Sequence, residues 1–167
     1  MRTEKVDEML KTYRFDVGRC GHLETEIRKL ERAIAFHKGQ LAEDASAVNS
    51  QQISDMPRGT AVGNPTERIG LMLASGWTPD YIREMEGELS ALKSEYEERY
   101  FTVLFVSSWL KGLTERERWI IEHQIIDGEY WKDVIAGYRT EFSEDSSKDS
   151  LKRLKQRALG KIYEMAG

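Results

Sequence analysis

Leu113-Thr114-Glu115-Arg116-Glu117-Arg118-Trp119-Ile120-Ile121 opens the stretch of this chain that decides its fold. Thr114 stands three residues before Glu117. Each side chain can therefore reach an orphan backbone N–H of the other, the reciprocal arrangement of a capping box. The apolar residues Trp119, Ile120, Ile121 and Ile125 follow, and Asp127-Gly128 ends the segment. A second short helix is predicted over Tyr130–Ala136, a turn over Gly137–Asp145, and a third helix over Ser146–Met165. On that third helix, at 100° per residue, Leu151, Leu154, Ala158, Ile162 and Met165 share one face. The opposite side carries basic and amide side chains.

Two short apolar helices followed by a basic one are the order of a helix-turn-helix reader. Arg and Lys meet the acceptor edge of guanine, Gln pairs with adenine through two hydrogen bonds, and further cations neutralise phosphates. The N-terminal part of such a helix makes most base contacts. The candidate DNA-binding residues are therefore Lys148, Lys152, Arg153 and Gln156 for the groove and Arg157 for the backbone. The plain alternative is a solvated basic face with no nucleic-acid partner.

Charge supports the first reading only locally. The 167 residues carry a net charge of −4, yet residues 146–163 hold six basic side chains against Asp149 alone. Screened fields act within roughly 10 Å, so the patch outweighs the total.

Working outward, Tyr13, Val17, Cys20, Leu23, Ile27, Leu30, Ile34, His37 and Leu41 follow one another at steps of three or four. This spacing keeps one stripe against a partner helix. Glycines at 18, 21 and 39 each cost about 1 kcal/mol relative to Ala, and a break is expected near Gly18–Gly21. Residues 49–64 are polar and contain Gly and Pro, a loop; Asn64-Pro65-Thr66-Glu67 then starts a short helix reaching Ser75. The heptads resume at Ile82, Met85, Leu89, Leu92, Tyr96, Arg99, Val103, Val106 and Leu110. From Tyr100 to Leu110 this second helix is apolar on every side, which predicts burial on every side. The fold class expected is all-α: a long antiparallel helical hairpin over residues 1–110 with its loop at 49–64, then a helix-turn-helix domain over 111–167.

The arrangement resembles region 4 of sigma factors. Leu113–Arg118 is similar to the start of that domain's first long helix, Glu129–Ala136 to its positioning helix, and Arg157-Ala158-Leu159 with Ile162 to the end of its recognition helix. With Ser54–Thr60, Asn64-Pro65-Thr66 and Trp77-Thr78-Pro79, nearly the whole chain resembles the heptad-rich, sigma-like regulators of the ArpU and RinA type from phages and prophages of Gram-positive bacteria. The resemblance implies late-gene control and contact with RNA polymerase. The turn Gly137–Asp145 departs from the tight three- or four-residue connection.

Other chemistry is weakly supported. Cys20, His22 and His37 lack paired ligand spacing, and Cys20 and His37 occupy heptad core positions, so no metal is expected. No nucleophile with a base and no phosphate loop is evident, so neither an enzyme nor a cofactor is expected. The chain has no apolar run of membrane-spanning length, a polar N-terminus and a single cysteine. A cytoplasmic protein of a bacterial host cell follows as the expectation. The expected function is a sequence-specific regulator that binds double-stranded DNA, with a homodimer through the hairpin open. The alternative is a helical assembly or adaptor protein, such as a DNA-packaging component, whose basic helix binds protein or non-specific DNA.

Overall fold

A computed structural model describes residues 2–51 and 76–167. Among these the chain is all-helical, with five helices and no strand: α1 (Thr3–Gln51), α2 (Asp80–Lys111), α3 (Glu115–Ile121), α4 (Trp131–Phe142) and α5 (Lys148–Ala166). None is long and apolar enough to cross a membrane. The Asp55–Thr60 loop and the helix expected from Asn64 to Ser75 lie outside the described residues. Helix α1 continues to Gln51, past the Asn49 start assigned to the loop.

The chain divides into two compact units, residues 23–95 and residues 1–22 with 96–167. This division cuts across the boundary at 110–111 drawn from sequence. In the unit of residues 23–95, Leu23, Ile34 and Ile82 are buried. Its ion pairs Glu31–Lys93 (2.7 Å) and Lys38–Glu86 (2.5 Å) ascend one helix as they descend the other, so the two segments run antiparallel. His37 lies edge-on to Tyr81, ring centroids 5.5 Å apart, which places it in helix packing.

In the other unit one core gathers Val6, Met9 and Leu10 from α1, Val106, Trp109 and Leu110 from α2, and the apolar faces of α3 to α5. The first turns of α1 are therefore part of the C-terminal domain. Tyr163 donates to Asp7 Oδ1 at 2.7 Å, and Arg14 donates to both carboxylate oxygens of Asp127 at 2.8 and 3.3 Å. Burial first, then the hydrogen bond to Asp7, pushes the Tyr163 hydroxyl up to about 12.

Three expectations are corrected. Helix α1 runs unbroken through Gly18 and Gly21, which are exposed; a cost of about 1 kcal/mol at each is offset by burial of Asp16, Cys20 and Leu23 on the other side of the helix. Val17 is exposed, and Asp16 turns inward instead, accepting from Thr12 Oγ1 at 2.8 Å and Arg99 Nη1 at 2.7 Å. A charge reads as a surface residue in a heptad scan, but here it is satisfied by Arg99, itself on the second stripe. Lastly, α2 is not buried all round beyond Tyr100. Val106, Trp109 and Leu110 are buried, whereas Tyr100, Phe101, Leu104 and Phe105 are between 41 and 58% exposed. This face of α2 has no neighbour among the described residues of its unit.

The turn between α4 and α5 is also shorter than read from sequence. Gly137 lies within α4, which continues to Phe142 and ends at Ser143 in the left-handed region (φ 50°, ψ 36°). Tyr138 and Phe142 carry the helix onward by packing edge-to-face on Trp119, at centroid distances of 5.6 and 6.1 Å. Gly137 permits this approach: a Cβ there would stand 3.1 and 3.2 Å from the Trp119 ring. Gly137→Val is therefore expected to lose about 1–3 kcal/mol by overpacking, read as a lower urea midpoint; an unchanged midpoint would show that the ring yields freely.

Candidate nucleic-acid interface

The platform for α5 is built locally. Thr114 Oγ1 accepts from the Glu117 backbone N–H at 3.4 Å, while Glu117 Oε2 accepts from the Thr114 backbone N–H at 3.1 Å, so the capping box forms as the sequence indicates. Helix α3 then widens into a π-helix over Glu122–Ile126 and stops where Gly128 adopts φ +67°. Arg118 Nε donates to the Leu110 carbonyl at 3.0 Å and joins α3 to the end of α2.

Helix α5 packs mainly against α3 through Leu151, Ala158, Leu159 and Ile162, all buried. Its start is set by Ser147, whose Oγ accepts from the Ser150 N–H at 3.2 Å, one residue beyond the expected Ser146. Of the apolar face expected from the sequence, Leu151, Ala158 and Ile162 are buried and Leu154 partly so, whereas Met165, in the last turn, is 42% exposed.

All five candidate DNA-binding residues, Lys148, Lys152, Arg153, Gln156 and Arg157, are exposed. They span roughly half the circumference of α5 at 100° per residue. None of these four cations has an ion pair among the described residues. The other two basic residues of the segment are used internally. Lys155 Nζ donates to Gln124 Oε1 at 3.0 Å and lies 5.4 Å from the centre of the Trp131 ring. Burial, with a smaller contribution from Lys152, lowers its pKa. Lys161 pairs with Glu117, which is 3% exposed, at 2.7 Å. The outward-facing charge is thus four cations with Asp149. This partition is invisible in a count of charges along the sequence.

Shape accompanies charge. A cleft of about 550 Å³ flanks α5 on one side, walled by residues including Arg116, Ser150, Arg153 and Arg157. A second of about 470 Å³ flanks the other, between Trp131 and Lys152, Arg153 and Gln156. The basic edge of α5 forms a ridge between them, and a ridge one helix wide is the form a major groove admits.

Another constellation was not anticipated. The side chains of His123, Asp127 and Glu129 bring ligand-type atoms within 4.8 Å of one another. The sequence scan for metals rested on Cys20, His22 and His37; the only signal for this trio was its spacing of four and two residues across the helix end. Hydrogen bonding accounts for the cluster. His123 Nδ1 lies 2.9 Å from Glu129 Oε1, the His123 ring stacks on Trp119 at 4.0 Å, and Arg14 neutralises Asp127. No protein-family profile, curated protein or solved structure matches the chain.

Proposed function

We propose that the chain is a sequence-specific, non-enzymatic regulator that binds double-stranded DNA with α5. The observation that carries this reading is the sorting of α5. Lys148, Lys152, Arg153, Gln156 and Arg157 face solvent, while its remaining cations are held by partners inside the unit. Arg153 and Gln156 read bases; Lys148, Lys152 and Arg157 engage phosphates or the groove edge. Regulation of phage or prophage genes in a bacterial cytoplasm, and contact with RNA polymerase, enter this proposal through the resemblance noted in the sequence.

Fluorescence anisotropy on the DNA upstream of the chain's own gene tests it. Three phosphate-engaging cations, Lys148, Lys152 and Arg157, give a slope of log K against log salt of about −2.7 for one chain. Arg157→Ala is expected to reduce that slope by about 0.9 and to weaken all sequences alike. Arg153→Ala is expected to cost about 1–3 kcal/mol on the preferred sequence and little on others. Equal affinity for scrambled DNA would sink the sequence-specific reading. Absence of binding at low salt would sink the DNA reading as a whole and favour the adaptor alternative.

A further inference from the structure

The uncovered face of α2 supplies an interaction surface that the DNA-reading proposal does not use. Phe101, Leu104 and Phe105 are 58, 45 and 46% exposed in the unit that carries α5. They are neighbours on one side of the helix, because residues 97, 101, 104, 108 and 111 recur at steps of four and three, with 98 and 105 alongside. Three large apolar side chains clustered on one helix face mark a contact site rather than scattered surface.

Its ends identify the occupant. Exposed Glu97 and Glu98 precede the apolar stripe, and exposed Lys111 follows it. None of these three has an ion pair among the described residues. The pattern is symmetric about the point between Leu104 and Phe105. A two-fold axis there sets Leu104 opposite the second copy's Phe105, Phe101 opposite its Ser108, and Glu97 beside its Lys111, which shares the same rim of the face. Ser108 is small enough to leave room for the ring. A parallel pairing would instead oppose acid to acid and lysine to lysine.

We infer that the chain forms an antiparallel, two-fold symmetric homodimer through this face of α2, with Phe101, Leu104 and Phe105 at its centre and Glu97–Lys111 pairs at its ends. The interface is isologous, so each ion pair and each apolar contact occurs twice. The inference stands whether or not α5 binds DNA. If both hold, two α5 helices related by the same axis read an inverted repeat.

Sedimentation equilibrium on the full chain tests it, with a mass of twice the 19.3 kDa chain expected. Phe101→Glu and Leu104→Glu are each expected to give monomers of unchanged helical content, since both side chains are exposed in one copy. Lys111→Glu is expected to weaken association about tenfold by adding a third acid beside Glu97 and Glu98, and Glu97→Lys combined with Lys111→Glu to restore it. A monomer at every concentration overturns the inference and assigns the stripe to a different protein. A dimer that survives Leu104→Glu, or a Lys111→Glu defect that Glu97→Lys does not repair, overturns this interface and its antiparallel order.

Discussion

A fragment of residues 111–167 is expected not to fold cooperatively, although the sequence delimits it as a domain. Its α3, α4 and α5 keep their caps, but the core they build is incomplete without Val6, Met9 and Leu10 from α1 and Val106, Trp109 and Leu110 from α2. In the intact chain Leu10→Ala is expected to lose about 2–5 kcal/mol, the range for emptying a buried leucine site. Leu10 is fully buried, so the transfer and cavity contributions both apply. Such a loss is a large share of a domain's net stability, about 5–15 kcal/mol. Thermal melts followed by circular dichroism decide the matter. A fragment 111–167 that melts in one sharp transition, or a Leu10→Ala chain with an unshifted midpoint, would show that α1 merely adheres to a self-sufficient domain.

Glu117→Ala is expected to be the most damaging change of a charged residue in the same unit. The side chain serves two structures at once. It closes the capping box of α3, where loss of a cap costs about 0.5–2 kcal/mol. It also holds Lys161, and breaking a buried ion pair costs about 3–5 kcal/mol. Lys161 is 43% exposed and regains water when its partner is lost, so the combined loss is expected nearer about 2–4 kcal/mol. The pH dependence follows from the same contacts. Burial pushes the Glu117 carboxyl up, but Lys161 and Thr114 together outweigh it and hold the group below the ordinary carboxylate range. A depressed folded-state pKa means that the stabilisation is complete above the unfolded value and disappears as pH falls through the folded one. The wild-type chain should therefore lose stability on acidification below the usual glutamate range, and Glu117→Gln should flatten that part of the curve. Urea midpoints measured from neutral to acidic pH check both; parallel curves for the two proteins would refute the assignment.

The features legible in the sequence are those whose causes are local. The Thr114–Glu117 box, the stop at Gly128 and the two faces of α5 each depend on residues within a few turns of one another, and each stands where the residues place it. What escaped reading depends on distant partners. Asp16 looks like a solvent residue until Arg99 is beside it. Gly137 looks like a turn until Trp119 is seen against it, and the same ring draws Tyr138 and Phe142 into α4. An all-apolar segment of α2 suggests complete burial, but the residues that would have to cover Phe101 and Leu104 are not in its own unit. Among the candidate DNA-binding residues, the local signal found all five on the outward side of α5. It could not show that Lys155 and Lys161 are engaged with Gln124 and Glu117, because those partners are 31 and 44 residues away.

The joining of Asp7 to Tyr163 across 156 residues has a consequence for how the chain is made. Residues 1–22 leave the ribosome long before residues 96–167 exist, so the first-made segment of this unit is among the last to find its partners. Val6, Met9 and Leu10 stay uncovered during that interval, and contacts so distant in sequence are closed slowly. Local α-helix formation can run ahead, but closure of the shared core must wait for α5, and the N-terminal segment that seeds it is left exposed to wrong partners until then.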